Sequence, residues 1–162
     1  MGRALRPVQF DRIVCSDLSR AFETAQAIAA GREVAIEKDA RLREMAFGRW
    51  EGLTWAQILD AYPEMEHVHW TDPASYVPDG GEGFGAVVQR VGLTLQELRA
   101  TQGERVLVVT HAGPIHAALF ALFGANGPSK GVRLFEASLT TVSLSGGIPQ
   151  LLRLNDVTHL AL

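Results

Sequence analysis

Arg20, Glu44 and His111 are the residues of this chain whose types and positions best fit chemistry. Arg20 follows the apolar run Ile13-Val14-Cys15 and the polar turn Ser16-Asp17-Leu18-Ser19, where a helix should begin. In a helix's first turn, backbone N–H groups, the positive helix end and a bidentate guanidinium can converge on one anion, and phosphate is the natural ligand. The local sequence also fits a surface arginine paired with Glu23 or Asp17. His111 stands between the run Val106–Val109 and the helix start Gly113-Pro114, so its ring would reach the same edge. A histidine there can act in acid-base or nucleophilic chemistry, or be a core histidine satisfied by backbone groups. Glu44 lies near Phe47 and Trp50, which could partly desolvate its carboxylate and raise its pKa into the range of a general acid. Glu51 competes for that role, and either carboxylate could instead pair with Arg43 or Arg49.

Other arrangements carry less. His67 and His69 alternate as metal ligands can, but no cysteine or carboxylate cluster completes a ligand set, so no metal is expected. Cys15, at a strand end ahead of a helix and an arginine, has the order of a cysteine-phosphatase loop. The loop Ser16-Asp17-Leu18-Ser19 is one residue too short for that and contains no glycine, so Cys15 is read as a buried strand residue. A Walker A sequence, a Gly-x-Ser-x-Gly elbow and a Gly-x-Gly-x-x-Gly turn are all missing.

The elements that must position these residues follow from periodicity. Val8 to Cys15 leads into a first strand, with Ser16, Asp17 and Ser19 offering N-cap oxygens to a helix that carries Leu18, Phe22, Ala25 and Ala29 and ends at Gly31. Val34-Ala35-Ile36 is a second strand, and Leu42 to Gly52 a loop. Thr54 and Gln57 have capping-box spacing ahead of a short helix stopped by Pro63. Residues 64–83 read as an excursion over one face, a lid. Phe84, Val87, Val88, Val91, Leu95 and Leu98 mark a long helix. Val106–Val109 should be a central strand buried on both faces, and Ile115, Ala118, Leu119 and Leu122 line a helix after it. Alternation in Leu139–Leu144, the Gly146-Gly147 turn and Leu151–Leu154 predict a hairpin. Strands alternating with helices give one α/β domain over residues 1–162, three-layered, with a mostly parallel sheet whose sites lie beyond the strands' carboxyl ends.

Composition narrows the class. At 162 residues with 47% hydrophobic and 20% charged residues, the chain has material for one core. A net charge of −3 leaves no basic excess for nucleic acid. A single cysteine permits no internal disulfide, and no apolar stretch is long enough for a signal peptide or membrane span. The expectation is a cytoplasmic, reducing location with neither nucleic-acid nor membrane partners.

Taken in order, Cys15-Ser16-Asp17-Leu18-Ser19-Arg20-Ala21-Phe22-Glu23-Thr24-Ala25, then Leu42-Arg43-Glu44 with Gly48-Arg49-Trp50-Glu51-Gly52, then Val108-Val109-Thr110-His111-Ala112-Gly113 resemble successive motifs of the histidine phosphatase superfamily, the phosphoglycerate mutase-like family. Pro78-Asp79-Gly80-Gly81-Glu82 is similar to its Pro-Gly-Gly-Glu-Ser segment, with Gly83 in place of the serine, and Asn155-Asp156-Val157-Thr158-His159-Leu160 to its tail. The wording resembles that of broad-specificity and α-ribazole phosphatase-like members. The resemblance implies a phosphoglycerate mutase-like fold and a phosphate pocket in which Arg20 holds phosphoryl oxygens, Glu44 gives a proton to the leaving group and His111 stabilises the transferring phosphoryl group. It implies a small phosphorylated substrate, no metal and no cofactor.

Family members open with a strand ending in Arg-His-Gly, whose histidine becomes phosphorylated; this sequence contains no Arg-His-Gly. The resemblance therefore implies an N-terminally truncated form, with a sheet strand missing, inactive as it stands, and open to homodimerisation along an exposed edge. Phosphomonoester hydrolysis through a phosphohistidine in a longer form is the leading expectation. The alternatives are a non-catalytic remnant that binds phospho-ligands and a mutase-type phosphoryl transfer.

Overall fold

Ile13, Val14 and Cys15 form a strand because two parallel neighbours bury them. In the computed structural model, which describes residues 1–65, 77–101, 103–125, 127 and 131–160, β1 (Arg12–Cys15) lies between β2 (Ile36–Lys38) and β3 (Val106–Val109), both parallel to it. The register sets Ile13 opposite Ile36 and Leu107, and Cys15 opposite Lys38 and Val109. Ile13 and Cys15 project to one face, where they pack on Ala25 of helix α1 (Ser19–Ala29). Val14 projects to the other and shares a surface hollow with Thr94 and Leu98 of the long helix α3 (Phe84–Ala100). Helix α4 (Ala112–Phe123) packs on α3 through Val87, Val91 and Ala117, with Phe84 and Phe120 meeting edge to face at 5.7 Å. The mixed α/β class with a parallel sheet is thus as the sequence predicts.

Three expectations need correction. The sheet's centre is β1, and β3 is an edge strand among the described residues, all four of its residues only half-buried. Helices cover the faces of a parallel strand and neighbouring strands its edges, and β3 has only β1 beside it among the described residues, so one edge is left open. The second strand starts at Ile36 rather than Val34, because the parallel register places Ile36 against Ile13. The N-cap of α1 is Leu18, with no side-chain cap. The Ser16 hydroxyl is engaged elsewhere and Asp17 is held by Arg43, so neither oxygen reaches the helix amides.

The remaining elements follow the sequence closely. Helix α2 (Trp55–Ala61) carries both halves of the Thr54–Gln57 capping box, and Trp50, Ile58 and Met65 cluster beneath it. β4 (Leu139–Ser143) and β5 (Gln150–Asp156) form an antiparallel hairpin separate from the parallel sheet, with Gly146 and Gly147 at positive φ in its turn. The predicted lid, with His67 and His69, lies largely outside the described residues. Its described end is docked: Arg49 donates its N–H to Asp79 O at 3.0 Å, and Glu82 donates its N–H to Ala46 O at 2.8 Å. Gly48 permits that approach, since at φ 53° any Cβ would run into the Asp79 carbonyl.

Candidate active site

Parallel pairing of Cys15 with Val109 brings two strand exits side by side. One further ladder bond, Ser16 N–H to Val109 O at 2.9 Å, extends the contact past β1. Ser16 begins the turn into α1, while His111 is the N-cap of α4 with extended backbone. Across this junction His111 Nε2 and Ser16 Oγ lie 2.9 Å apart, 95 residues separated in sequence. Ser16 is fully buried, and its Oγ also accepts a bond from Leu18 N–H at 3.3 Å.

Arg20 occupies the first turn of α1, as expected, and is exposed. Neither local pairing considered for it forms. Asp17 is gripped instead by a two-pronged bond from Arg43, at 2.7 and 2.6 Å, which holds its carboxyl below the usual carboxylate range. Among the described residues the Arg20 guanidinium makes no hydrogen bond and no ion pair, so it is free to take an anion. Arg20 and Arg90 lie near enough to act on His111. Burial first, then the positive charges of Arg20 and Arg90, push the imidazole pKa down to about 4.

Glu44 reaches the same junction from the loop after the 3-10 turn Ala40–Leu42. Its Oε1 accepts bonds from Met45 N–H at 2.8 Å and from Gly113 N–H, in the first turn of α4, at 3.0 Å. Gly113 has to be glycine for this, because a Cβ there would collide with Oε1. Phe47 is 37% exposed and Trp50 packs with Ile58 and Met65, so the rings expected to desolvate Glu44 are employed elsewhere. Glu51 is exposed and accepts from Phe47 N–H at 3.2 Å, away from this junction's bonds. Arg49 faces Asp79 at 3.5 Å with both side chains largely in solvent.

Two contributors escaped the sequence reading. Ser16 looked like a helix cap and is instead the partner of His111; the signal available was a small hydroxyl directly at a strand exit. Arg90 of α3 forks onto Glu82 at 2.7 and 2.9 Å, and also donates to Arg41 O at 2.5 Å and Glu44 O at 3.3 Å. It ties the Glu44 loop to the Gly80-Gly81-Glu82 segment. A charged residue one position from buried Val91 was the available sign. Gly83, the departure from the family's serine, caps α3 without a side-chain bond, and a Cβ there would stand 2.8 Å from Val77 Cγ2.

Other candidates fall away. Cys15 is buried and burial pushes its thiol pKa up, which suppresses the thiolate. Among the described residues no group of His, Cys, Asp or Glu side chains could hold a metal ion, and no helix is long and apolar enough to cross a membrane. A hollow of about 200 Å³ lined by residues including Arg12, Glu37, Lys38, Asp39, Arg41 and Glu97 excludes all three candidate residues; Arg12 pairs with Glu37, Arg41 with Asp39 and Glu97, and Lys38 lies over the Phe22 ring. The exits of β1 and β3 thus bring together His111 and Ser16, the Glu44 carboxylate held by Gly113 N–H, and Arg20, whose guanidinium has no ion pair among the described residues and is near enough to act on His111. Such a set suits a phosphoryl group.

The family model of the histidine phosphatase superfamily (branch 1) matches residues 1–157, and the chain belongs to that superfamily. It is 37% identical over 143 residues to glucosyl-3-phosphoglycerate phosphatase of Mycobacterium tuberculosis, a match covering 81% of this chain and 63% of that protein. It is 36% identical over 110 residues to adenosylcobalamin/alpha-ribazole phosphatase of Salmonella typhimurium, covering 67% of this chain and 54% of that one. Among solved structures, Bacillus stearothermophilus YhfR superposes with a TM-score of 0.87 at 32% identity, over 98% of this chain and 80% of that one. The mycobacterial glucosyl-3-phosphoglycerate phosphatase complexed with inorganic phosphate gives 0.84 at 30% identity, over 96% of this chain and 81% of that one. The matched region spans 35% to 63% of the length of the first curated relatives.

Proposed function

We propose that this chain carries the phosphate clamp and proton donor of a phosphomonoesterase acting on a small phosphorylated molecule, with residues 1–162 forming one domain. The observation that carries this reading is the Arg20 guanidinium, without a partner among the described residues, near His111 and the Glu44 carboxylate held by Gly113. Arg20 would grip phosphoryl oxygens in a charge-assisted, bidentate contact, and His111 would donate a hydrogen bond to another. Glu44 would supply the proton to the ester oxygen as the P–O bond breaks.

The nucleophile in this reading is a histidine of an Arg-His-Gly segment in a longer form. It attacks phosphorus in line, the alcohol leaves with the proton of Glu44, and water then attacks the phosphohistidine while Glu44 takes up its proton. His111 is a poor substitute, since a group bonding the equatorial oxygens is misaligned for in-line attack. No step needs a metal, and the compartment proposed is the cytoplasm. The phosphatases among the relatives favour hydrolysis over mutase transfer. Binding of a phosphorylated ligand without turnover is the second reading, since these 162 residues offer a phosphate clamp but no Arg-His-Gly histidine.

The test expresses this chain beside a version extended upstream through an Arg-His-Gly segment, both assayed on p-nitrophenyl phosphate with EDTA. Chelator-resistant turnover only in the longer protein, lost when its added histidine becomes alanine, is the expected result. Equal turnover by both forms refutes the assignment of the nucleophile, and turnover by neither leaves the binding-only reading standing.

A further inference from the structure

Ser16 has one hydroxyl proton and, being fully buried, no water to give it to. Among the described residues its Oγ has two partners: Leu18 N–H, which can only donate, and His111 Nε2. If Nε2 carried a proton, the oxygen would accept two bonds and its own proton would be left without an acceptor in the interior. Satisfying every group requires the reverse, with Oγ–H donating to a bare Nε2 and the imidazole proton residing on Nδ1.

We propose that Ser16 is a positioning residue that fixes His111 as its Nδ1–H tautomer, leaving Nδ1–H as the ring's free donor for a phosphoryl oxygen. The tautomer stands on the hydrogen-bond geometry alone; the use of Nδ1–H rests on the phosphatase reading above. The same arrangement opposes protonation of the ring. A proton on Nε2 would leave the serine hydroxyl proton without its acceptor and add a third positive charge to those of Arg20 and Arg90, in agreement with the direction of the His111 pKa. The exit of β1 thereby sets the chemical state of a residue at the exit of β3, across the Cys15–Val109 register.

The experiment is a long-range ¹⁵N–¹H correlation spectrum of the His111 ring in this chain at pH 7.5, with calorimetric titration of orthovanadate. The unmodified protein should show a protonated Nδ1 and a bare Nε2; a protonated Nε2 overturns the proposal with no variant needed. In Ser16→Ala, with folding checked by circular dichroism, the ring should become a mixture of tautomers and vanadate should bind about tenfold more weakly. Ser16→Thr, which keeps the hydroxyl, should restore the single tautomer. An unchanged tautomer in Ser16→Ala likewise refutes the role of Ser16. The two readings fail separately. Vanadate binding insensitive to Arg20→Ala, or absent altogether, sinks the phosphate site while the spectrum still decides the tautomer. A wrong tautomer with Arg20-dependent binding sinks only the role of Ser16.

Discussion

Glu44 and Gly113 stand 69 residues apart in the chain and share a hydrogen bond of 3.0 Å, from the first turn of α4 to the carboxylate oxygen Oε1. This contact fixes the proposed proton donor against the helix that His111 caps. Gly113→Ala should therefore push Glu44 out of place. In the upstream-extended form, kcat on p-nitrophenyl phosphate should fall about 100-fold, the cost of a misplacement near 1 Å. Activity within threefold of the parent would show that Glu44 needs no such seat.

The Arg20 guanidinium makes no hydrogen bond or ion pair among the described residues, so its removal should separate binding from stability. Arg20→Ala should abolish detectable sulfate or vanadate binding while changing unfolding free energy by less than about 0.5 kcal/mol. Calorimetry and urea denaturation measure the two. Undiminished anion affinity would move the phosphate site elsewhere.

Arg90 binds Glu82 and two backbone carbonyls at a site where both side chains are mostly buried, 18% and 24% exposed. Arg90→Met leaves a buried carboxylate without its cation, and should cost about 2–3 kcal/mol in urea denaturation. Glu82, now held below its ordinary range by Arg90, should titrate higher in the variant. A loss below about 0.5 kcal/mol would mean that the loop is held by its backbone bonds alone.

His111 gives a pH signature. Burial, with the nearby charges of Arg20 and Arg90, pushes its pKa down to about 4 in the folded protein, against about 6.5 for an ordinary histidine. Between those values the unfolded chain binds the extra proton, so its contribution to stability is complete above pH 6.5 and is lost as pH falls toward 4. His111→Gln should flatten the stability profile across that window and leave the carboxylate-driven fall at lower pH. Parallel profiles for the two proteins would contradict the depressed pKa.

Asn155 adopts φ 52°, accepts a bond from Phe135 N–H at 2.8 Å and donates to Arg133 O at 2.9 Å. Asn155→Ala loses both bonds and places an alanine in left-handed backbone, a cost of about 2 kcal/mol. Thermal unfolding checks it, and an unchanged midpoint would show that the 133–135 segment does not depend on Asn155.

Much of this was legible in one dimension. Local signals report local physics: the Thr54–Gln57 box, the apolar stripe of α3 and the hairpin around Gly146-Gly147 each depend on neighbours within a few residues, and each formed where the sequence placed it. The ordered motifs around Arg20, Glu44 and His111 likewise pointed to the family. What sequence by itself could not decide was where long-range partners sit. Strand order is set by pairing between segments far apart, so an apolar Val106–Val109 run says nothing about whether one side or both will be covered. The same holds for polar side chains. A serine after a strand caps a helix in most contexts; only the Cys15–Val109 register, which brings His111 to 2.9 Å from its hydroxyl, made Ser16 part of the site. Asp17 could as readily have paired with Arg20, and tertiary packing gave it to Arg43, freeing Arg20 for an anion.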